Sequence, residues 1–77
     1  MKEDIIQLAQ ALGFTLIEPQ KNLWMISFYK EGTIDPRINV YFTTMTVTVQ
    51  YNDRQKSPKP YRDVTLSTFE DILNSVL

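Results

Sequence analysis

The sequence predicts an α+β fold. An antiparallel meander of four strands, five if a short edge segment joins it, lies between an N-terminal and a C-terminal helix that pack on one of its faces. Three observations predict this. Apolar residues recur at helical spacing near both ends, they alternate with polar ones at a period of two through the middle, and turn-forming residues separate the alternating runs. The 77 residues have room for a single domain, 1–77. A chain of this length buries roughly 60–65% of its unfolded surface, and a stability of about 4–10 kcal/mol is expected of it.

The first periodic stretch runs from Asp4 to Leu12. Ile5, Leu8, Ala9 and Leu12 fall on one helical face, Asp4 and Gln7 have the spacing of a capping pair, and Gly13 stands where a left-handed C-terminal cap is wanted. Phe14 to Glu18 is rich in β-formers, and Pro19-Gln20-Lys21-Asn22 reads as a turn. In Leu23 to Lys30 the even positions Trp24, Ile26 and Phe28 are all apolar, which predicts a strand with those three facing the core. The loop Glu31 to Pro36 leads out of it.

Arg37 to Asn52 carries the clearest pattern. With Thr43-Thr44 as the tip of a hairpin, Phe42 faces Met45, Val40 faces Val47 and Ile38 faces Val49 on one side. Tyr41 faces Thr46, Asn39 faces Thr48 and Arg37 faces Gln50 on the other. A slip of one residue would turn every apolar group to water, so the facing is well specified. Threonine disfavours positive φ, which leaves a longer tip open. Asn52 to Pro60, with two prolines, reads as a loop, and Tyr61 to Val64 as a short edge strand. Thr65 caps a second helix with Leu66, Phe69, Ile72, Leu73 and Val76 on its stripe; Val64 and Phe69 form a hydrophobic staple, and Ser67 with Glu70 is the alternative cap.

Composition narrows the function classes. The chain has no cysteine and no histidine, so disulfides, thiolate chemistry, Ser-His nucleophilic systems and the commonest metal ligands are excluded. Neither an EF-hand spacing nor a phosphate-cradling glycine loop is present, with glycine only at 13 and 32. Glu31 and Asp35, four apart in one loop, have the oxygens to hold a divalent ion, and a metal-dependent hydrolase stays a remote alternative. No apolar run is long enough for a membrane span. The acidic start Met1-Lys2-Glu3-Asp4 is unlike a signal peptide, so a cytoplasmic location is expected, with no cofactor and no membrane partner.

Two surfaces stand out as candidates. The sheet face turned from the helices is expected to carry Met25, Ser27 and Tyr29, then Arg37, Asn39 and Tyr41, then Thr46, Thr48 and Gln50. Two tyrosines, an arginine and amide and hydroxyl groups on one rigid surface suit a macromolecular contact, although an ordinary solvated sheet face has the same residue types. The second surface is the loop flank, where Arg54, Lys56, Lys59 and Arg62 outweigh Asp53 and Asp63 by two charges, which leaves −3 for the rest of a chain of net charge −1. A pI of about 5.2 is low for a dedicated nucleic-acid domain.

The order helix, three strands, helix resembles that of double-stranded-RNA-binding domains in topology. Those domains carry a lysine cluster at the start of their second helix, where this chain reads Thr65-Leu66-Ser67-Thr68. The stretch Arg37-Ile38-Asn39-Val40-Tyr41-Phe42-Thr43-Thr44, followed by Thr46-Val47, is similar to one found in small uncharacterised bacterial proteins, in which the position of Met45 looks like glycine. That resemblance covers about a dozen residues and implies no activity.

The sequence therefore leads to a non-enzymatic binding module that engages a macromolecule, a protein in preference, or a second copy of itself through an edge strand. The contact residues expected are Tyr29, Arg37, Asn39, Tyr41, Thr46, Thr48 and Gln50 on the sheet, with Arg54, Lys56 and Lys59 from the loop. The alternative is a nucleic-acid-binding protein, with Tyr29 and Tyr41 stacking on bases and Arg37, Arg54, Lys56 and Lys59 on phosphates.

Overall fold

The computed structural model describes residues 2–17, 24–33, 35–53 and 55–76. The chain runs α1 (Lys2–Ala11), β1 (Phe14–Leu16), β2 (Met25–Lys30), β3 (Arg37–Tyr41), β4 (Thr46–Gln50), β5 (Lys59–Tyr61) and α2 (Leu66–Val76). The five strands form one open antiparallel sheet in sequence order. The turn expected at Pro19–Asn22 lies outside the described residues.

α1 starts two residues before Asp4, so Asp4 sits in the first helical turn with Glu3 and does not occupy the cap position. Acids there complement the positive end of the helix dipole. Ile5 and Ala9 are buried, and Leu8 and Leu12 pack against the core from its margin. Gly13, at φ +91, ends the helix in the left-handed region that its missing Cβ allows. Its carbonyl accepts the Glu31 amide at 2.8 Å, which joins the helix end to the end of β2.

The hairpin of β3 and β4 has the facing expected of it: Arg37↔Gln50, Ile38↔Val49, Asn39↔Thr48, Val40↔Val47 and Tyr41↔Thr46. Its connection is the longer one. Phe42 to Met45 form a four-residue turn, with Met45 at φ 50, so Phe42 and Met45 belong to the turn and do not pair as strand partners.

At the other margin the last strand lies earlier than expected. Lys59–Tyr61 pair with Val49, Thr48 and Val47, so of the expected segment Tyr61 to Val64 only Tyr61 belongs to the edge strand. Proline has no N–H, so Pro60 must meet Thr48 as a non-hydrogen-bonded pair, which turns its backbone nitrogen to the outer edge. An edge strand tolerates proline in that position.

Ile26, Phe28, Ile38, Val40, Val47 and Val49 share one core with Ile5, Ala9, Phe69, Ile72 and Leu73 of the helices. The rings of Phe28 and Phe69 lie 6.5 Å apart, tilted by 50°, a spacing at which aromatic edges and faces attract. Thr65 caps α2: its Oγ1 accepts the Thr68 amide at 3.2 Å, while Val64 and Phe69 are both buried as a staple requires. The cap is thus at Thr65 and not at Ser67. Leu66, first on the predicted stripe, is 37% exposed.

Trp24 departs from expectation. It is 62% exposed. β2 begins only at Met25, and Trp24 stands beyond the strand, its carbonyl accepting the Phe42 amide at 2.8 Å. Alternation carried it to the core side, but at the end of the sheet that side is not covered over this indole.

Candidate functional site

Strand pairing sets the non-core face of the sheet in rows. One row is Thr15, Tyr29, Arg37 and Gln50; the next holds Ser27, Asn39, Thr48 and Pro60; the third is Met25, Tyr41 and Thr46. Tyr29, Arg37, Asn39, Tyr41, Thr46, Thr48 and Gln50, all expected on one surface, therefore are on one surface. Tyr41 and Gln50 are exposed, and Met25, Tyr29, Arg37, Thr46 and Thr48 are partly so.

The middle of this face is not a set of free polar groups. Ser27 is 1% exposed and Asn39 5%. The Ser27 hydroxyl donates to Asn39 Oδ1 at 2.7 Å, Arg37 Nε donates to the same oxygen at 3.1 Å, and Arg37 Nη2 donates to Ser27 Oγ at 3.3 Å. The three side chains close a ring in which each oxygen is used in a sense it can supply. Asn39 Nδ2 extends the ring to Gln50 Oε1 at 3.3 Å. Among the described residues no buried side-chain nitrogen or oxygen lacks a partner, so the network is satisfied and rigid where a partly paired one would be costly. Asn39 was expected to present its amide outward; its longer neighbours bury it instead, and its oxygen faces inward along the sheet.

Sequence reasoning did not reach this ring. The signal lay in the register of β2 on β3, which puts Ser27 opposite Asn39. The length of the loop between those strands has to be settled before that register can be read. Asn52 also escaped notice. Its amide donates to Asp35 Oδ1 at 2.9 Å, and it lines, with Tyr29, Arg37 and Gln50, a depression of about 170 Å³ at one end of the face.

Of the expected loop cations, Lys56 and Lys59 do not gather here. Lys59 pairs with Val49 and so belongs to the opposite side of the sheet. Lys56 Nζ stands 4.8 Å from the centroid of the Tyr51 ring, in a cation–π contact of its own. Arg54 lies outside the described residues. Glu31 and Asp35 are both exposed, and among the described residues no group of three His, Cys, Asp or Glu side chains is placed to hold a metal ion. No helix among the described residues is long and apolar enough to cross a membrane.

Comparison of the chain with protein-family models, with curated proteins and with solved structures finds no match.

Proposed function

We propose that the chain is a small non-enzymatic binding module that engages a protein partner through the polar face of its sheet. The observation that carries this reading is the closed ring of Ser27, Arg37 and Asn39 at the middle of that face. It fixes the groups around it before any partner arrives, so little side-chain entropy remains to be lost on binding. Tyr29 and Met25 lie around the ring half-buried, and Tyr41 is 38% exposed. Tyrosine, methionine and arginine are the residue types enriched where protein interfaces concentrate their energy.

The positions of the cations among the described residues favour a protein over a nucleic acid. Phosphate tracking needs several cations along one surface. Arg37 is the only charged side chain in the three rows, while Lys59 and Lys56 stand apart from them. The net charge of −1 adds no attraction for a polyanion.

The test is quantitative capture from a lysate of the source cells, with and without nuclease. Wild type is set against Tyr41→Ala/Arg37→Ala, with Lys59→Ala as a control on the opposite face. The partner should be captured regardless of nuclease, retained by Lys59→Ala and lost by the double variant. Loss on nuclease treatment would replace the protein by nucleic acid, and capture that survives the double variant with the fold intact would overturn the face as the site.

A further inference from the structure

We infer that the depression over Arg37 is a carboxylate subsite that takes an aspartate or glutamate side chain of the protein partner. The inference deepens the reading above and rests on it for the source of the carboxylate.

Arginine has five N–H donors. Two of them, on Nε and Nη2, are held by Asn39 Oδ1 and Ser27 Oγ. Both acceptors are neutral, and among the described residues no acid is in contact with the guanidinium. The two bonds fix the plane of the group along its Nε–Nη2 edge, and among the described residues no acceptor holds its end-on edge, one N–H from each Nη, lying parallel. That edge has the geometry of bidentate carboxylate binding. A partly buried cation that no acid among the described residues contacts has lost some of its hydration and gained no opposite charge from them in return, so the site gains when an anion arrives.

The shape and the neighbouring charge select the anion. The depression of about 170 Å³ is walled by Tyr29, Gln50 and Asn52, side chains that supply hydroxyl and amide groups and no further cation. A water molecule occupies about 30 Å³ of liquid, so a carboxylate with its methylene fits easily. Asp35, whose Oδ1 holds the Asn52 amide at 2.9 Å, fixes one wall and sets a negative charge two residues along the chain from Arg37. The Asp35 carboxylate is out of contact with the guanidinium, and its charge repels a phosphate dianion more than a monoanion.

The test needs no partner. The ¹⁵N-labelled chain is titrated with sodium acetate, with sodium chloride at equal ionic strength and with inorganic phosphate, and the Arg37 Nε–H and Asn52 amide signals are followed by NMR. Acetate should move both saturably in the millimolar range while chloride does not, and Gln50→Ala should weaken the effect. An acetate titration no different from chloride overturns the subsite without touching the capture test of the sheet face, and phosphate binding tighter than acetate overturns the class of anion. Arg37→Gln should lower partner capture about tenfold, the scale of losing one partly exposed charge pair. If acetate binds and Arg37→Gln captures the partner undiminished, the pocket serves a free carboxylate and the partner as source is overturned.

Discussion

The carbonyl of Met45 accepts the amide of Val64 at 2.9 Å. This bond ties the tip of the β3–β4 hairpin to the residue that enters the cap of α2. Both of its approaches are left-handed, with Met45 at φ 50 and Asp63 at φ 53. Aspartate accepts that conformation readily, whereas methionine does so at a cost of about 1 kcal/mol. Met45→Gly is therefore expected to raise stability by about 0.5–1 kcal/mol, measured as a higher urea midpoint at unchanged slope. A lower midpoint would mean that the packing of the Met45 side chain outweighs its backbone strain.

The ring on the polar face predicts non-additive losses. Ser27→Ala removes two bonds, the one it donates to Asn39 Oδ1 and the one it accepts from the half-buried Arg37 Nη2, but leaves Asn39 Oδ1 paired with Arg37 Nε, at a cost of about 1 kcal/mol; Asn39→Ala leaves both Ser27 and Arg37 short of a partner, at about 2–3 kcal/mol. The double variant should cost about 1 kcal/mol less than the two singles together. Chemical denaturation of the four proteins gives the cycle, and simple additivity would show that the ring does not act as a unit.

The cap of α2 predicts a smaller effect. Thr65→Ala removes the acceptor of the Thr68 amide and should cost about 1 kcal/mol, whereas Thr65→Ser should keep most of it. A corresponding Ser67→Ala change lies inside the helix and should be near neutral. Thermal melts followed by circular dichroism separate the three.

Exposure of the single tryptophan makes a prediction that a core residue would contradict. Trp24→Ala should cost less than about 1 kcal/mol, against about 3–5 kcal/mol for a buried aromatic such as Phe28 or Phe69. Acrylamide should quench the Trp24 fluorescence of the native protein nearly as well as that of the urea-unfolded chain, and strong native-state protection would place the indole in the core.

The parts of the fold that were legible in the sequence are those where burial repeats. In Ile38–Phe42 and again in Met45–Val49 every second residue is apolar, and a slip of one residue would turn them all to water, so with the tip placed at Thr43-Thr44 the five pairs from Arg37↔Gln50 to Tyr41↔Thr46 followed. Ends were less legible, because periodicity marks a face and not a boundary. Asp4 has the chemistry of a cap, yet α1 begins at Lys2. Trp24 has the parity of Ile26 and Phe28 but lies one residue outside β2. Pro60 read as a strand breaker, although proline is excluded only where both sides of a strand are paired. On the candidate surface, strand parity gave the membership of the face. The burial of Ser27 and Asn39 depends on how the two hairpins sit side by side, and sequence alternation does not encode that.

Pro60 also decides in which direction the ladder can lengthen. With its nitrogen turned to the outer rim of β5, an incoming strand meets a missing donor at the centre of the three residues it must match. Accretion of further copies is blunted on that flank, and any dimer made by continuing the sheet has to be joined through the rim of β1.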